Sequence, residues 1–407
     1  MRTVVFCATL AAVAFPSIGS AQSLTLTESD ALARLSAESP RVRALRSGID
    51  IARVDALTAG RWPNPRLTYD RESVAGVTEH MWMLAQPLPI TGRRGLEVDA
   101  ATAMVAAASS RSDDEVRRLR ADLRRAFAEL IAAQVREREL TAARDRLRNL
   151  ADVLTRREAA GDAAGFDRLR AEREVLEFEA DRTAAAVERT RAQGALSAFF
   201  TDVPDPSQLT AVGVTIAGGA VPSLAALLER AELVRGEIPA LRHELEAAEF
   251  SEQAAGRRLI PEPEIVAGTK SSTAAGGDLG SVVTVHATIP LFDHARPEKA
   301  LAIARAAQAQ ARLEAFRFTL RGEIAAIRAV LLERRTAAER YRTDAIRSAE
   351  QIERIAQISY DAGERGILEL LDAYRIGATA RTRQASLDAA VRQAEIELEF
   401  VSGWEIQ

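Results

Sequence analysis

The amino-acid sequence predicts a mainly α-helical protein with a small membrane β-barrel contribution, built from one structural unit that occurs twice. The first observation is a repeat: a glycine-containing stretch at 160–171 recurs at 361–374, with Gly161 and Gly363 separated by 202 residues. The second is long apolar periodicity at alternating spacings of three and four, which is typical of coiled-coil helices. The third is a switch to a period of two in the middle of each unit, which predicts strands.

The first unit is expected at 22–203. Thr27 is a plausible N-cap, and Pro40 divides the first helical region into a short and a longer helix. The strands are expected to form a β-hairpin, and the second and third helices to meet at Gly161. The expected elements are helices 28–60, 93–160 and 166–200 and the β-hairpin 66–90.

The second unit is expected at 221–403, after a linker at 204–220 that is rich in Pro and Gly and before a short tail at 404–407. Its long helix keeps the coiled-coil spacing and spans about 65 residues, which gives a rod of roughly 100 Å. In each unit two shorter helices together match one long helix in length. The expected elements are helices 222–258, 297–362 and 367–403 and the β-hairpin 264–291.

The four predicted strands are each about ten residues long, which is enough to cross a bilayer when tilted. Val283 and Val285 face one side, while Thr284 and His286 face the other. A four-stranded sheet has open edges that lipid cannot satisfy, so we expect it to close with copies of itself. Three chains would give a twelve-stranded barrel, and the coiled coils would continue its wall as a helical tunnel. The alternative is an ordinary sheet of a soluble protein.

Both the N-terminal segment and the composition limit the function. Residues 1–21 combine one Arg, an apolar stretch and a small-residue cleavage site, so we expect a cleaved signal peptide that carries away Cys7, the only cysteine. The net charge is −4 with 28% charged residues, which argues against a nucleic-acid partner. No nucleophile–base pair, phosphate loop or metal cluster is recognisable, so we expect no enzyme and no cofactor.

The two glycine-containing stretches read as the tips of helical hairpins. Gly161 and Gly165 correspond to Gly363 and, nearly, to Gly366. Glycine allows the backbone conformations that a tight helix-to-helix turn needs. The next helix then begins with an acidic residue, Glu369 in the second copy, where the helix dipole favours a negative charge.

Several motifs resemble the outer-membrane efflux (TolC-like) family over essentially the whole mature chain. They are the duplicated layout together with Trp62-Pro-Asn-Pro65, Gln86-Pro-Leu-Pro-Ile-Thr-Gly-Arg-Arg-Gly95, Ile289-Pro-Leu-Phe-Asp293 and Gly363-Glu-Arg-Gly-Ile-Leu-Glu-Leu-Leu-Asp-Ala373. The resemblance implies a homotrimeric barrel in the outer-membrane lipid on a long periplasmic α-tunnel. It also implies a periplasmic adaptor and an inner-membrane pump as partners. The first two motifs look most like the branch that serves heavy-metal resistance pumps.

The resemblance also implies a gate. By position, Glu369 and Asp372 correspond to the family's acidic rings and Arg365 to its basic link, although the first acid is Glu where the family pattern has Asp. Residues three apart share a helix face, so three copies would form a narrow negative constriction. The alternative is that both acids are ordinary solvent-exposed residues at the start of a helix. The tips, farthest from the barrel, are expected to contact the adaptor.

Other interpretations stay open from the sequence. Met81 and Met83 share a strand face beside His80, which allows a soft-metal contact or, more simply, a lipid- or lumen-facing wall. The chain reads as a passive efflux duct for heavy-metal cations or small toxic molecules. Multidrug efflux and protein secretion remain alternatives within the duct interpretation, and a non-channel periplasmic coiled-coil adaptor or scaffold remains an alternative to it.

Overall fold

The structure, a computed structural model, describes residues 24–161, 165–203, 205–213 and 219–405. The expected signal peptide at 1–21 lies outside these residues, as do several positions of the expected linker. Within the described ranges the chain is mainly helical, and its strands form one four-stranded sheet and one two-stranded ribbon.

The first half of the chain contains four helices and three strands in the described part. In chain order these are β1 (Leu24–Leu26), α1 (Glu28–Arg34), α2 (Pro40–Ala59), β2 (Arg66–Val74), β3 (Val77–Pro87), α3 (Arg93–Ala159) and α4 (Gly165–Ser197). Thr27 caps α1 through a reciprocal pair of hydrogen bonds with Asp30, and Pro40 is the first residue of α2. The expected N-cap and the expected break at Pro40 are both confirmed.

The second half repeats this layout with additional interruptions. Its elements are β4 (Leu209–Ala211), α5 (Leu224–Val234), α6 (Glu237–Arg257), β5 (Pro263–Ser272), β6 (Asp278–Ala287), α7 (Arg296–Arg340), a π-helical turn (Tyr341–Ile346), α8 (Arg347–Asp361) and α9 (Ile367–Ser402). The sequence analysis missed β1 and β4, which pair in parallel. Three-residue strands are too short to show a period of two.

The four longer strands form one antiparallel sheet in the order β2-β3-β5-β6. The second strand of each hairpin ends earlier than expected. β3 ends at Pro87, whereas the first hairpin was expected at 66–90, and β6 ends at Ala287, whereas the second was expected at 264–291. Prolines lack the N–H group that a ladder needs, and they crowd the ends of both strands. The sheet order places the two hairpins side by side, with β2 and β6 at its outer edges.

The helices form a strip that continues from the sheet. In the half near the sheet, α3 packs between α2 and α6, and α6 packs on α7. In the half near the tips, α3 packs between α4 and α9, and α9 packs on α8. One edge of the strip therefore consists of α2 and α4, and the other of α7 and α8. In the described residues, no helix is both long enough and apolar enough to cross a membrane.

The expected helix 222–258 is wrong as a single helix, because it breaks between α5 and α6. At Gly236 the backbone lies against α3, and a Cβ there would come within 2.2 Å of the Ser110 carbonyl oxygen. The Gly236 N–H donates to Asp114 Oδ1 at 3.1 Å. This close approach requires glycine and fixes the kink against α3.

Candidate functional site: the helical tips and the two faces of the sheet

The two helical tips have the same backbone geometry where they are described. Gly161 has φ +82° and Gly363 has φ +74°, both in the left-handed region that favours glycine. Their N–H groups donate back to the carbonyls of Glu158 and Tyr360 at 3.0 Å in each case. The two glycines therefore end α3 and α8 in equivalent ways. Residues 162–164 of the first tip lie outside the described residues.

Gly165 and Gly366 do not need glycine for backbone conformation, which corrects the expectation from the sequence. Gly366 has φ −80° and ψ 175°, an extended conformation that any residue adopts. Gly165 begins α4, and a Cβ there would lie 2.5 Å from Glu158 Oε1, at the end of a flexible side chain. Of the four expected tip glycines, only Gly161 and Gly363 are therefore required by their φ angles.

The predicted gate residues lie on the exposed side of the second tip. Arg365 precedes α9, while Glu369 and Asp372 lie in its first two turns, and all three side chains are exposed. Within the part of the chain that the structure describes, no ion pair joins any of them to another residue. Ile367 and Leu370 point the other way into the core. The three charges thus share an outward surface and have no ion-pair partner among the described residues of their own chain.

The helices behind this surface are held together by packing and by polar contacts. Tyr374 on α9 donates a hydrogen bond to Gln357 on α8 at 2.5 Å, and burial raises the pKa of the Tyr374 hydroxyl. Glu353 on α8 lies directly over Gly377 on α9, where a Cβ would come within 1.5 Å of its carboxylate. The same carboxylate accepts from Arg381 at 2.8 Å. The second hairpin is therefore a closely fastened pair of helices.

The strand register separates the sheet into a polar and an apolar face, because paired residues share a face and neighbours alternate. On the polar face Arg66 pairs with Glu264 at 2.7 Å and Lys270 with Glu79 at 2.6 Å. That face also carries the side chains of Asp70, Glu72 and Asp278. The two cations and five carboxylates leave it with a net charge of −3 in each chain.

The other face is apolar and aromatic. Its residues in the register include Leu67, Tyr69, Trp82, Leu84, Ile265, Val283 and Val285, and Arg71 is its one charged residue in these strands. The Tyr69 and Trp82 rings pack with their centroids 4.5 Å apart and their planes tilted by 36°. Aromatic clusters on an apolar sheet face are typical of the membrane interface of outer-membrane barrels.

The suggested soft-metal group is not assembled. His80 lies on the apolar face, where its Nδ1 forms a hydrogen bond with the Tyr69 hydroxyl at 2.7 Å. Met81 and Met83 lie on the polar face, and the Met83 sulfur packs where a Cβ of Gly268 would be, 2.6 Å from that position. Among the described residues, no group of three His, Cys, Asp or Glu side chains could hold a metal ion. His80 and the two methionines therefore lie on opposite faces of the sheet.

A buried network of ion pairs lies farther from the tips and was not visible in the sequence. Glu395 is completely buried and binds Arg335 at 2.6 Å and Arg392 at 3.3 Å. Arg392 and Arg124 both bind Glu28, at 2.8 and 2.5 Å. Burial alone would raise the pKa of Glu28, but Arg392 and Arg124 outweigh it, so this pKa lies below its ordinary value. The network joins α1, α3, α7 and α9, whose residues are far apart in sequence.

Solved structures define the class of this fold. A membrane protein from Pseudomonas aeruginosa superposes with a TM-score of 0.76 at 20% identity over 92% of each chain. The outer membrane protein VceC of Vibrio cholerae superposes with a TM-score of 0.74 at 18% identity, covering 93% of this chain and 97% of VceC. CusC superposes with a TM-score of 0.74 at 16% identity, covering 93% of this chain and 92% of CusC. The chain therefore has the fold of the TolC-like outer-membrane channels.

Sequence comparison finds relatives among outer-membrane efflux and metal-resistance proteins. The family model described as outer membrane efflux protein matches residues 227–403. The cobalt-zinc-cadmium resistance protein CzcC of Cupriavidus metallidurans is 27% identical over 380 residues, which is 91% of this chain and 86% of CzcC. The nickel-cobalt-cadmium resistance protein NccC of Alcaligenes xylosoxydans xylosoxydans is 26% identical, covering 69% of this chain and 64% of NccC. The chain is therefore similar to outer membrane efflux proteins over residues 227–403 and to a heavy-metal resistance protein over most of its length, in line with the resemblance of its motifs.

Proposed function

We propose that this protein is the outer-membrane channel of a tripartite efflux system and that it works as a homotrimer. The observation that carries the proposal is the open strip formed by one chain. In the described residues, β2 and β6 each have one unpaired edge. An unsatisfied backbone group in lipid costs several kcal/mol. Three copies close the edges into a twelve-stranded barrel, with the apolar face toward lipid and the polar face toward the lumen.

The helical edges support the same ring. On α8 the exposed side is a row of isoleucines, with Ile352, Ile355 and Ile358 exposed at 41%, 51% and 63%. At the opposite edge α4 exposes Leu169 and Leu176 at 57% and 70%. If the α8 edge of one copy packs on the α4 edge of the next, the contact is head-to-tail. Repeating such a contact around a rotation axis closes a ring. The ring of helices would then extend the barrel as a tunnel through the periplasm.

The second tip supplies the gate in this arrangement. Glu369 and Asp372 from three chains form two stacked acidic rings at the closed end of the tunnel, and Arg365 links neighbouring chains by charge-assisted hydrogen bonds. Each such bond contributes about 1–3 kcal/mol, so the binding of a partner protein can overcome the set. Both tips contact a periplasmic adaptor, which joins the channel to an inner-membrane pump.

Heavy-metal cations are the cargo that the comparisons favour, because the relatives CzcC and NccC are named for resistance to cobalt, zinc, nickel and cadmium. The polar face of the sheet fits such a cargo. Its net charge of −3 per chain becomes −9 in a trimer, and a lumen of one sign concentrates the opposite ion. Conduction is passive, and the pump supplies the energy.

The test is purification of the full chain in detergent, followed by native mass spectrometry and planar-bilayer recording. The expected result is a trimer that conducts and prefers cations to anions. A stable monomer that needs no detergent would contradict the channel and favour a periplasmic scaffold. A conducting trimer whose expression leaves the zinc and cobalt tolerance of a host with the matching pump unchanged would contradict the cargo alone.

A further inference from the structure

Four short segments lie where the helices meet the four-stranded sheet, and together they form a surface that we call the junction belt. The belt consists of residues 60–65 after α2, 88–95 up to the start of α3, 257–262 at the end of α6, and 288–299 from the end of β6 into α7. It contains seven Arg and Lys residues against three Asp and Glu residues, a net charge of +4 in each chain. Its sign is therefore opposite to that of the polar face of the sheet.

Large apolar side chains are exposed among these charges. They are Trp62, Ile90, Leu259, Ile260, Ile289, Leu291 and Phe292. Phe292 is 96% exposed, and the Arg94 guanidinium lies over the Trp62 ring at 5.3 Å from its centroid. Exposed apolar groups that lie close together mark contacts with membranes or proteins. Mixed with arginine and tryptophan, they are typical of the level at which hydrocarbon meets water.

A cavity of about 640 Å³ opens in the belt, between the end of α6 and the segment that follows β6. Its lining combines cationic and apolar side chains, among them Arg93, Arg257, Arg258, Ile260, Ile289 and Phe292. Small-molecule sites have volumes of about 300–1,000 Å³. Arg93 and Arg258 are already ion-paired, with Glu262 at 3.1 Å and Glu298 at 2.5 Å. Arg257 is exposed and has no ion pair among the described residues, so its guanidinium is free to bind an anion there.

Arg296 carries a charge that its own helix does not stabilise. It is the first residue of α7, where the helix dipole disfavours a cation, and the described part of the chain gives it no ion-pair partner. Arg257 is the last residue of α6, where the dipole favours a cation. The ion pair between Arg258 and Glu298 joins these two helix ends. Helix stability therefore accounts for Arg257 but not for Arg296, whereas an anion bound beside both accounts for the two together.

The belt lies at the depth of lipid headgroups in the proposed barrel. The strands of the sheet contain 9 to 11 residues. At about 3.3 Å per residue and a tilt of about 40°, they span about 25 Å, which is the height of the apolar band of outer-membrane barrels. The belt follows directly after this band, and Ile289 continues the alternation of Val283 and Val285 on the apolar face.

We propose that the junction belt binds an anionic phospholipid of the periplasmic leaflet, with Arg257 and Arg296 on its phosphate and Ile289 and Phe292 along its acyl chains. Guanidinium groups bind phosphate through paired hydrogen bonds. A second copy of the chain would bring a belt of the same positive sign, so like charges would meet. The inference rests on the proposed channel function for the membrane around the sheet, and it adds a specific lipid ligand to that function.

The test is native mass spectrometry of the delipidated full chain in detergent, titrated with phosphatidylglycerol or with phosphatidylcholine of identical acyl chains. The wild type should prefer phosphatidylglycerol. A cation near an anionic lipid surface is worth about fivefold in affinity, so Arg257→Gln with Arg296→Gln should lower the preference by about 25-fold. The matched control is Arg321→Gln with Arg340→Gln, which removes two exposed, unpaired arginines of α7 outside the belt and should keep the wild-type preference. An equal loss in both double variants would overturn the lipid site.

Two further probes separate the apolar contact and the free phosphate. Phe292→Ser should weaken the binding of both lipids and leave their ratio unchanged, because the side chain carries no charge. Unchanged binding of both lipids in this variant would contradict the acyl-chain contact. Glycerol 1-phosphate, which has the phosphate without acyl chains, should not displace phosphatidylglycerol at equal concentration. Displacement would assign the two arginines to a free phosphate and overturn the lipid site.

The oligomeric state, measured in the same spectra, keeps this inference apart from the channel proposal. A conducting trimer that binds both lipids equally would overturn the lipid site and leave the channel standing. A monomer that prefers phosphatidylglycerol through Arg257 and Arg296 would overturn the trimer and leave the lipid site standing. If the belt double variant is monomeric while the control variant is trimeric, the two arginines belong to a contact between copies, and the lipid site is wrong.

Discussion

The isoleucine row on α8 gives the sharpest test of the trimer. Ile355 is half-exposed in the single chain, and full burial of an isoleucine is worth about 1.5–3 kcal/mol, so covering its exposed half contributes about 1 kcal/mol. In Ile355→Asp that gain is lost and an unpaired carboxylate is buried instead, at an effective cost of several kcal/mol. Each of three equal interfaces then loses about 3 kcal/mol or more, and the trimer loses about 10 kcal/mol.

The assay is native mass spectrometry of the detergent-solubilised protein over a range of concentrations. We expect Ile355→Asp to be monomeric where the wild type is trimeric, with helix content by circular dichroism unchanged. Arg354→Ala is the control, since it makes the same change of one unit in net charge on an exposed neighbour, and it should stay trimeric. A trimer of wild-type strength in Ile355→Asp would show that this row does not face a second copy.

Three further predictions concern the tips and the buried network. The double variant Glu369→Ala with Asp372→Ala should abolish block of the channel by a trivalent cation in planar bilayers, and unchanged block would remove these residues from the pore. Gly363→Ile should impair adaptor binding in a pull-down assay while membrane insertion stays intact, because a branched side chain at φ +74° is strained by about 1–3 kcal/mol. Gly366→Ile is the matched control: its backbone is extended, so this variant should bind the adaptor. The pKa of Glu28 is lower in the folded protein than its ordinary value of 4.5. The ion pairs of Glu28 therefore stabilise the folded state fully above that ordinary pKa, and this stabilisation is lost as the pH falls through the lower pKa of the folded state. The thermal midpoint of Glu28→Gln should therefore lie below that of wild type at pH 7 and approach it in acid; a constant difference across pH would contradict this.

Local patterns predicted the parts of the fold that local forces determine. The helix-ending glycines Gly161 and Gly363 were recognisable because each follows a periodic stretch and precedes another, and a left-handed residue there satisfies the last carbonyls of a helix. The strand faces followed from alternation alone, since a period of two fixes which side chains are on the same side. The repeat then placed the second set of elements by analogy with the first.

The features that the sequence did not reveal depend on contacts between distant residues. The helical pattern breaks at the extended residue Arg235, and the need for glycine at the next position arises from α3, because a Cβ on Gly236 would lie 2.2 Å from the Ser110 carbonyl oxygen. The buried pair of Glu28 and Arg392 joins residues 364 positions apart, so no local spacing announces it. Gly165 and Gly366 show the opposite error, since a glycine at a turn was taken as conformationally required where its backbone is ordinary.

The proposed ring accounts for three exposed features of the single chain. The edges of β2 and β6 lack partners in the described residues, the isoleucines of α8 project from one edge of the strip, and Leu169 and Leu176 project from the other. A monomer in water would gain nothing from any of these, and exposed rows of large apolar residues promote aggregation. In the proposed trimer, the same threefold closure would bring Arg365 of one chain toward Glu369 and Asp372 of another. In the proposed trimer, one rotation about one axis therefore supplies partners for the strand edges, the apolar rows and the predicted gate charges together.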